Sequence, residues 1–193
     1  MPEVLTAEQQ PGNLKTAATR GTGTPLIQRE RIARRVHRLG REISTTYSGI
    51  ESALVMVVIL KGATVFAADL LRSLTIPAEL EFVRAASYGA GTSSQGRPLR
   101  LAHMVQGSLV DRHVLLVEDI VDSGRTADAV IKRVSRLKPA SLRLAALLDR
   151  PARRAVHVKI DFKGFTIPDR FVIGYGLDYA GLYRELPAIY SLG

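Results

Sequence analysis

The chain has 193 residues, 46% of them apolar and 23% charged, with 16 Gly, 9 Pro and no Cys. These proportions exclude collagen-like, coiled-coil and wholly disordered classes, and the length suits one domain able to bury its own core. The missing cysteine excludes disulfides, thiolate chemistry and Cys-based zinc sites, and four scattered histidines without paired spacing speak against a His-based metal site.

Lys and Arg number 27 against 18 Asp and Glu, a formal net charge of +9, and 21 of the 27 are Arg. That balance suits nucleic acid, an anionic membrane surface or a phosphorylated small molecule. The 11 aromatics include no Trp and do not interleave with basic runs, as a surface for single-stranded nucleic acid would require. The longest apolar run, 53–60, is far too short to span a bilayer. Phosphate chemistry remains, and it needs a site.

Residues 1–23, rich in Thr, Gly, Ala and Gln, have no apolar periodicity and read as a flexible arm, which leaves 24–193 as a single domain. The arm lacks the apolar middle of a signal peptide, so a cytoplasmic protein is expected. Thr24-Pro25 reads as a helix start, and Ile27, Ile32, Val36, Leu39 and Ile43 recur at helical spacing as far as about Tyr47. The basic residues of 29–41 form the solvated face of that helix. The run 53–60 (ALVMVVIL) has the continuous, β-branched character of a buried parallel strand. A helix follows over 63–74 with Phe66, Leu70, Leu71 and Leu74 inward, and then Leu80 and Phe82 alternate with Glu79 and Glu81 as in a half-exposed strand. Residues 87–98 (SYGAGTSSQGRP) form a Gly/Ser-rich loop long enough to be a lid or a disordered insert. The second half repeats the logic, with strands at 113–117, 142–148, 156–160 and 171–173 and a helix at 124–137. Strands alternating with helices predict an α/β fold whose mainly parallel, twisted sheet is flanked by helices.

The stretch 114–127 reads VLLVEDIVDSGRTA. An apolar strand ends in two adjacent carboxylates, Glu118 and Asp119. A short turn, Asp122, Ser123, Gly124, Arg125 and Thr126, then enters a helix. In open parallel sheets ligands bind at the carboxyl ends of strands. Successive backbone N–H groups, two hydroxyls and a helix N-terminus favour a phosphate there, and glycine lets the backbone approach it. Paired acids suit ribose hydroxyls or Mg²⁺ rather than phosphate. Neither a dinucleotide fingerprint nor a GK[ST] loop is present.

This stretch resembles the signature with which the type I phosphoribosyltransferases bind 5-phosphoribosyl-1-pyrophosphate (PRPP), and IVDSGRT is similar to the hypoxanthine-guanine branch. The resemblance runs from about Leu26 to Leu186. It implies the type I phosphoribosyltransferase fold with a small hood and a flexible lid loop, Mg²⁺ as cofactor, PRPP and a purine base as partners, and a homodimer or homotetramer. It also implies roles. Glu118 and Asp119 hold the ribose hydroxyls, in part through Mg²⁺; residues 122–126 cradle the 5-phosphate; Asp122 lies near purine N7 as general acid/base.

Further matches extend it. Lys61-Gly62 resembles the family's pyrophosphate loop, in which the peptide before the lysine is often cis. Ser87-Tyr88 resembles the start of the lid. In FVIGYGLDY (171–179), the resemblance gives Phe171 to stacking on the purine, the Val172 carbonyl to a guanine amino group and Asp178 to a second Mg²⁺. Arg184, five residues on from that motif, it gives to pyrophosphate. One position departs from the pattern: in LLDRPARR, Arg150 stands where most relatives carry the lysine that donates to purine O6. Its planar fork is not a point charge, so the preference among hypoxanthine, guanine and xanthine is open. An enzyme for orotate or adenine is not expected to carry FVIGYGLDY. A nucleotide-sensing, RNA-binding regulator on the same fold typically lacks the acid found here at Asp122, so neither nucleic acid nor membrane is an expected partner.

Overall fold

The computed structural model describes residues 24–87, 99–102 and 108–192. Helix α1 (Arg29–Thr46) precedes strand β1 (Leu54–Leu60), helix α2 (Thr64–Ser73) and strands β2 (Ala78–Ser87) and β3 (Leu99–Ala102). Strand β4 (His113–Val121), helix α3 (Arg125–Ser135), β5 (Ser141–Asp149), a 3₁₀ turn (Pro151–Arg153), β6 (Phe162–Thr166), β7 (Phe171–Ile173) and β8 (Tyr190–Leu192) follow.

The main sheet has the order β3-β2-β1-β4-β5-β6, parallel throughout except for the antiparallel edge strand β3. Alternation along each strand divides the core. Leu54, Met56, Val58, Leu115 and Val117 face α1 and α2, whereas Val55, Val57, Ile59, Val114 and Leu116 face α3. A sheet covered on both faces is what the unbroken apolar run at 53–60 requires. The amphipathic α1 buries Ile32, Val36, Leu39 and Ile43 and leaves Arg29, Arg31, Arg34, Arg38 and Arg41 exposed, so its cations form a solvated face. The small β7–β8 sheet, joined to the N-terminal side by the Ile27–Ile189 bridge, supplies the hood. No helix among the described residues is long and apolar enough to cross a membrane.

Three local expectations need correction. Helix α1 begins at Arg29 rather than at Thr24-Pro25, because Ile27 is extended and bonded through its backbone to Ile189. The strand expected at 156–160 lies at Phe162–Thr166; the earlier residues turn back so that the Ala155 and Val156 amides donate to the Ser123 carbonyl. In β2, Leu80 and Phe82 are each 39% exposed and Val83 is buried, so the apolar pair faces outward. Among the described residues, that end of β2 pairs only with β1, and the β2–β3 pairing covers Arg84 to Ser87. Tyr88, expected to open the lid, and the rest of the Gly/Ser-rich loop up to residue 98 lie outside the described residues, as does the expected arm; Ser87 closes β2, its backbone opposite Leu99.

Candidate active site

The carboxyl ends of β1 and β4 lie side by side and carry the two loops that matter. Strand β4 runs on to Val121 and delivers Glu118 and Asp119 at its end. Gly124 then takes φ +81° and caps α3. Only glycine reaches that conformation readily, and a Cβ there would collide with the Val156 carbonyl behind the loop. A hollow of about 50 Å³ sits in the loop, lined by Glu118, Asp122, Ser123, Gly124 and Thr126 among others. First-turn amides of α3 have no partner within the helix, so they are available to an anion.

Burial decides the electrostatics. Glu118 is 6% exposed and its Oε2 has no hydrogen-bond partner among the described residues. Desolvation first, and the neighbouring Asp119 second, push its carboxyl well above the usual range. Asp119 is pushed up to about 6, mainly by burial, although the Ile120 amide donates to Oδ1 at 3.0 Å and Arg184 opposes the rise. An unpartnered buried carboxylate destabilises the free protein and awaits a ligand.

The Leu60–Lys61 peptide is cis. The turn brings Gly62 so close to Asp119 that any Cβ would strike its carboxylate. Lys61 itself is exposed. From the far side, Arg184 is held by Asp178 Oδ1 at 2.6 Å and donates to the Gly176 carbonyl at 2.6 Å. Tyr175 donates to Asp69 of α2 at 2.5 Å and ties this segment to the helix that follows the Lys61–Gly62 loop. The oxygen-only set of Glu118, Asp119 and Asp178 has the hard-ligand chemistry that Mg²⁺ takes. No group of three metal-ligating side chains converges among the described residues. A Mg²⁺ ion usually binds through one or two carboxylates plus substrate phosphates, and the orphaned Glu118 oxygen fits that arrangement.

The carboxylate side of the turn has a feature that sequence spacing did not suggest. Arg150, with 7% of its side chain exposed, grips Asp122 bidentately, Nε to Oδ1 at 3.0 Å and Nη2 to Oδ2 at 2.6 Å. Its Nη1 donates to the Arg170 carbonyl at 2.6 Å. Phe171 is 44% exposed and meets Tyr179 edge to face, while Val172 is buried. Thus Asp122, Arg150 and Phe171 belong to one region. A cavity of about 830 Å³ lies elsewhere, between α1, α2 and 184–187, and holds none of the signature carboxylates.

A parallel α/β sheet with a phosphate-sized turn and paired acids at its carboxyl edge defines a sugar-phosphate enzyme. Comparison with known proteins makes this specific. Residues 26–180 match the model of the phosphoribosyl transferase domain, and the chain belongs to that family. Hypoxanthine phosphoribosyltransferase of Salmonella typhimurium is 42% identical over 164 residues, 85% of this chain and 92% of that protein. Hypoxanthine-guanine phosphoribosyltransferase of Mycobacterium avium is 40% identical over 190 residues, 96% of this chain and 89% of the relative. Among solved structures, Trypanosoma cruzi hypoxanthine phosphoribosyltransferase superposes with a TM-score of 0.82 at 36% identity, covering 89% of this chain and 95% of that one.

Proposed function

We propose that this enzyme transfers the phosphoribosyl group of PRPP to a 6-oxopurine, hypoxanthine or guanine, in purine salvage. The observation that carries this reading is the meeting, at one sheet edge, of the Asp122–Thr126 turn, the buried Glu118–Asp119 pair and the Lys61–Gly62 loop. Purine N9 attacks C1 of PRPP, the C1–O bond to pyrophosphate breaks with its electron pair leaving on oxygen, and the nucleoside monophosphate forms. Lys61 and Arg184 hold the departing anion, Glu118 and Asp119 hold the ribose, and the turn binds the 5-phosphate. Bound Mg²⁺, held by Glu118, Asp119 or Asp178, supplies additional positive charge at the pyrophosphate oxygens.

Asp122 takes the proton that the purine gives up at N7. Arg150 takes one acceptor site on each carboxylate oxygen, and the lone pairs left over can accept from N7. A guanidinium has five N–H groups, and three are engaged here. The remaining two can donate to O6, which favours 6-oxopurines over adenine. Ser87 and Tyr88 are assigned to the lid that excludes water, the Val172 carbonyl to a guanine amino group, and the assembly to a homodimer or homotetramer, on the family resemblance.

Pyrophosphate release with PRPP and Mg²⁺ against hypoxanthine, guanine, xanthine and adenine tests the reading. Turnover with hypoxanthine or guanine and none with adenine is the expected result; the same panel on Arg150→Lys measures what the arginine does to selection. Loss of turnover with every oxopurine would sink the assignment. Phe171 is a second probe. Because it is exposed, Phe171→Ala leaves the melting temperature within a degree or two. Loss of stacking, about 1–3 kcal/mol per base, raises the KM for the purine by roughly 5- to 150-fold. An unchanged purine KM removes Phe171 from the base site.

A further inference from the structure

The segment after β5 closes around the back of the phosphate turn. For the turn's N–H groups to face an anion, its carbonyl groups must point away, and buried carbonyls need donors. Each carbonyl from Val121 to Gly124 has one. The Arg150 amide donates to Val121 at 3.1 Å, the Ala155 and Val156 amides to Ser123 at 3.0 and 2.9 Å, and the Asp128 amide to Gly124 at 2.9 Å. The remaining donor is a side chain. Arg154 Nε donates to the Asp122 carbonyl at 3.0 Å and Nη2 to the Val121 carbonyl at 3.0 Å. The same Nη2 meets Asp149 Oδ1 at 2.5 Å, and Asp149, 8% exposed, also accepts from Lys163 at 3.2 Å. One half-buried guanidinium therefore bonds the end of β4 to the end of β5 and accounts for the whole carbonyl side of Asp122.

We propose that Arg154 is the positioning residue of the 5-phosphate site: its fork on the Val121 and Asp122 carbonyls fixes the turn of 122–126 with its amides toward the phosphate. This rests on the reading of that turn as the PRPP phosphate loop. Arg150 holds the Asp122 carboxylate, and Arg154 holds the Asp122 backbone carbonyl from behind the turn, on the side away from the phosphate. A lysine can satisfy Asp149 but cannot present two N–H groups in a fixed fork to neighbouring carbonyls.

The test compares wild type with Arg154→Lys, and with the double variant Asp149→Asn, Arg154→Met, which leaves no unpaired buried charge if the single change unfolds the protein. Binding of ribose 5-phosphate, and KM for PRPP and for hypoxanthine, are measured beside the melting temperature. In a folded variant the expected result is a roughly 10- to 100-fold weaker ribose 5-phosphate affinity and higher PRPP KM, the usual weight of hydrogen bonds to a charged group. The KM for hypoxanthine stays within about threefold. Equal losses for both substrates, or a PRPP KM within twofold of wild type, overturn the proposal while the phosphate-loop reading stands. Wild type that binds no ribose 5-phosphate overturns the phosphate-loop reading, and the proposal with it.

Discussion

Asp122→Asn lowers kcat by about 10²–10⁴-fold, the usual size of a general acid/base contribution, with a much smaller change in PRPP affinity. The amide keeps the shape of the side chain and can still accept from Arg150, but it cannot take a proton from N7. The ion pair with Arg150 adds a second, separable effect. Removing one partner of a fully buried pair costs about 3–5 kcal/mol. With 36% of the Asp122 side chain exposed, solvent screening reduces this to roughly 1–2 kcal/mol. In a chain of this length that lowers the melting temperature by about 2–8 °C. Initial rates taken well below the transition, beside a melting curve, keep the two effects apart. A variant with near-normal kcat removes Asp122 from the proton transfer, whatever its stability.

Asp119→Asn is expected to stabilise the substrate-free protein and disable it. The native carboxyl is raised to about 6, whereas an unfolded aspartate titrates near the model value of 3.8. Below 3.8 both states are protonated and nothing is lost. As pH rises from there to about 6 the unfolded state releases its proton first, so stability falls across that window and stays lowered above it. A shift of this size, from 3.8 to about 6, corresponds to about 3 kcal/mol. The variant, which keeps an acceptor for the Ile120 amide, therefore melts about 6–12 °C higher than wild type at pH 7.5. The gap closes as pH approaches 4. PRPP affinity falls by roughly 10–100-fold in the same variant, since the lost contact is a hydrogen bond to a charged group. Calorimetry from pH 4 to 8 decides the first part; a pH-independent difference would show that burial of the carboxylate is not its cause.

The same trade shapes Glu118, whose Oε2 is buried without a partner. Neither acid serves the free protein. Both are placed by β4, whose apolar residues Val114 to Val117 must fill the two cores, so the strand's burial fixes where its carboxylates emerge.

Much of this was legible in the chain itself. An unbroken β-branched run has the character of a strand covered on both faces, and the repeat of strand and helix points to a parallel sheet. The candidate site at the strand ends was legible because its adjacent acids and glycine turn lie within a dozen positions of one another. Local periodicity also placed α1, α2 and α3 to within a few residues.

What the sequence could not supply were contacts between distant segments. Ile27 carries the spacing of a helix yet is extended, because its backbone pairs with Ile189, more than 160 residues on. Residues 156–160 have the composition of a strand, but two of the amides at 155–156 are taken by Ser123. Arg150 and Arg154 stand four apart, Arg150 at the position the resemblance gives to a purine donor, and only the fold turns one onto the Asp122 carboxylate and the other onto its carbonyl. Sequence determines which groups are near each other along the chain and which faces must be buried. The pairing of polar groups across the sheet depends on where the chain returns, and that is decided by tertiary packing.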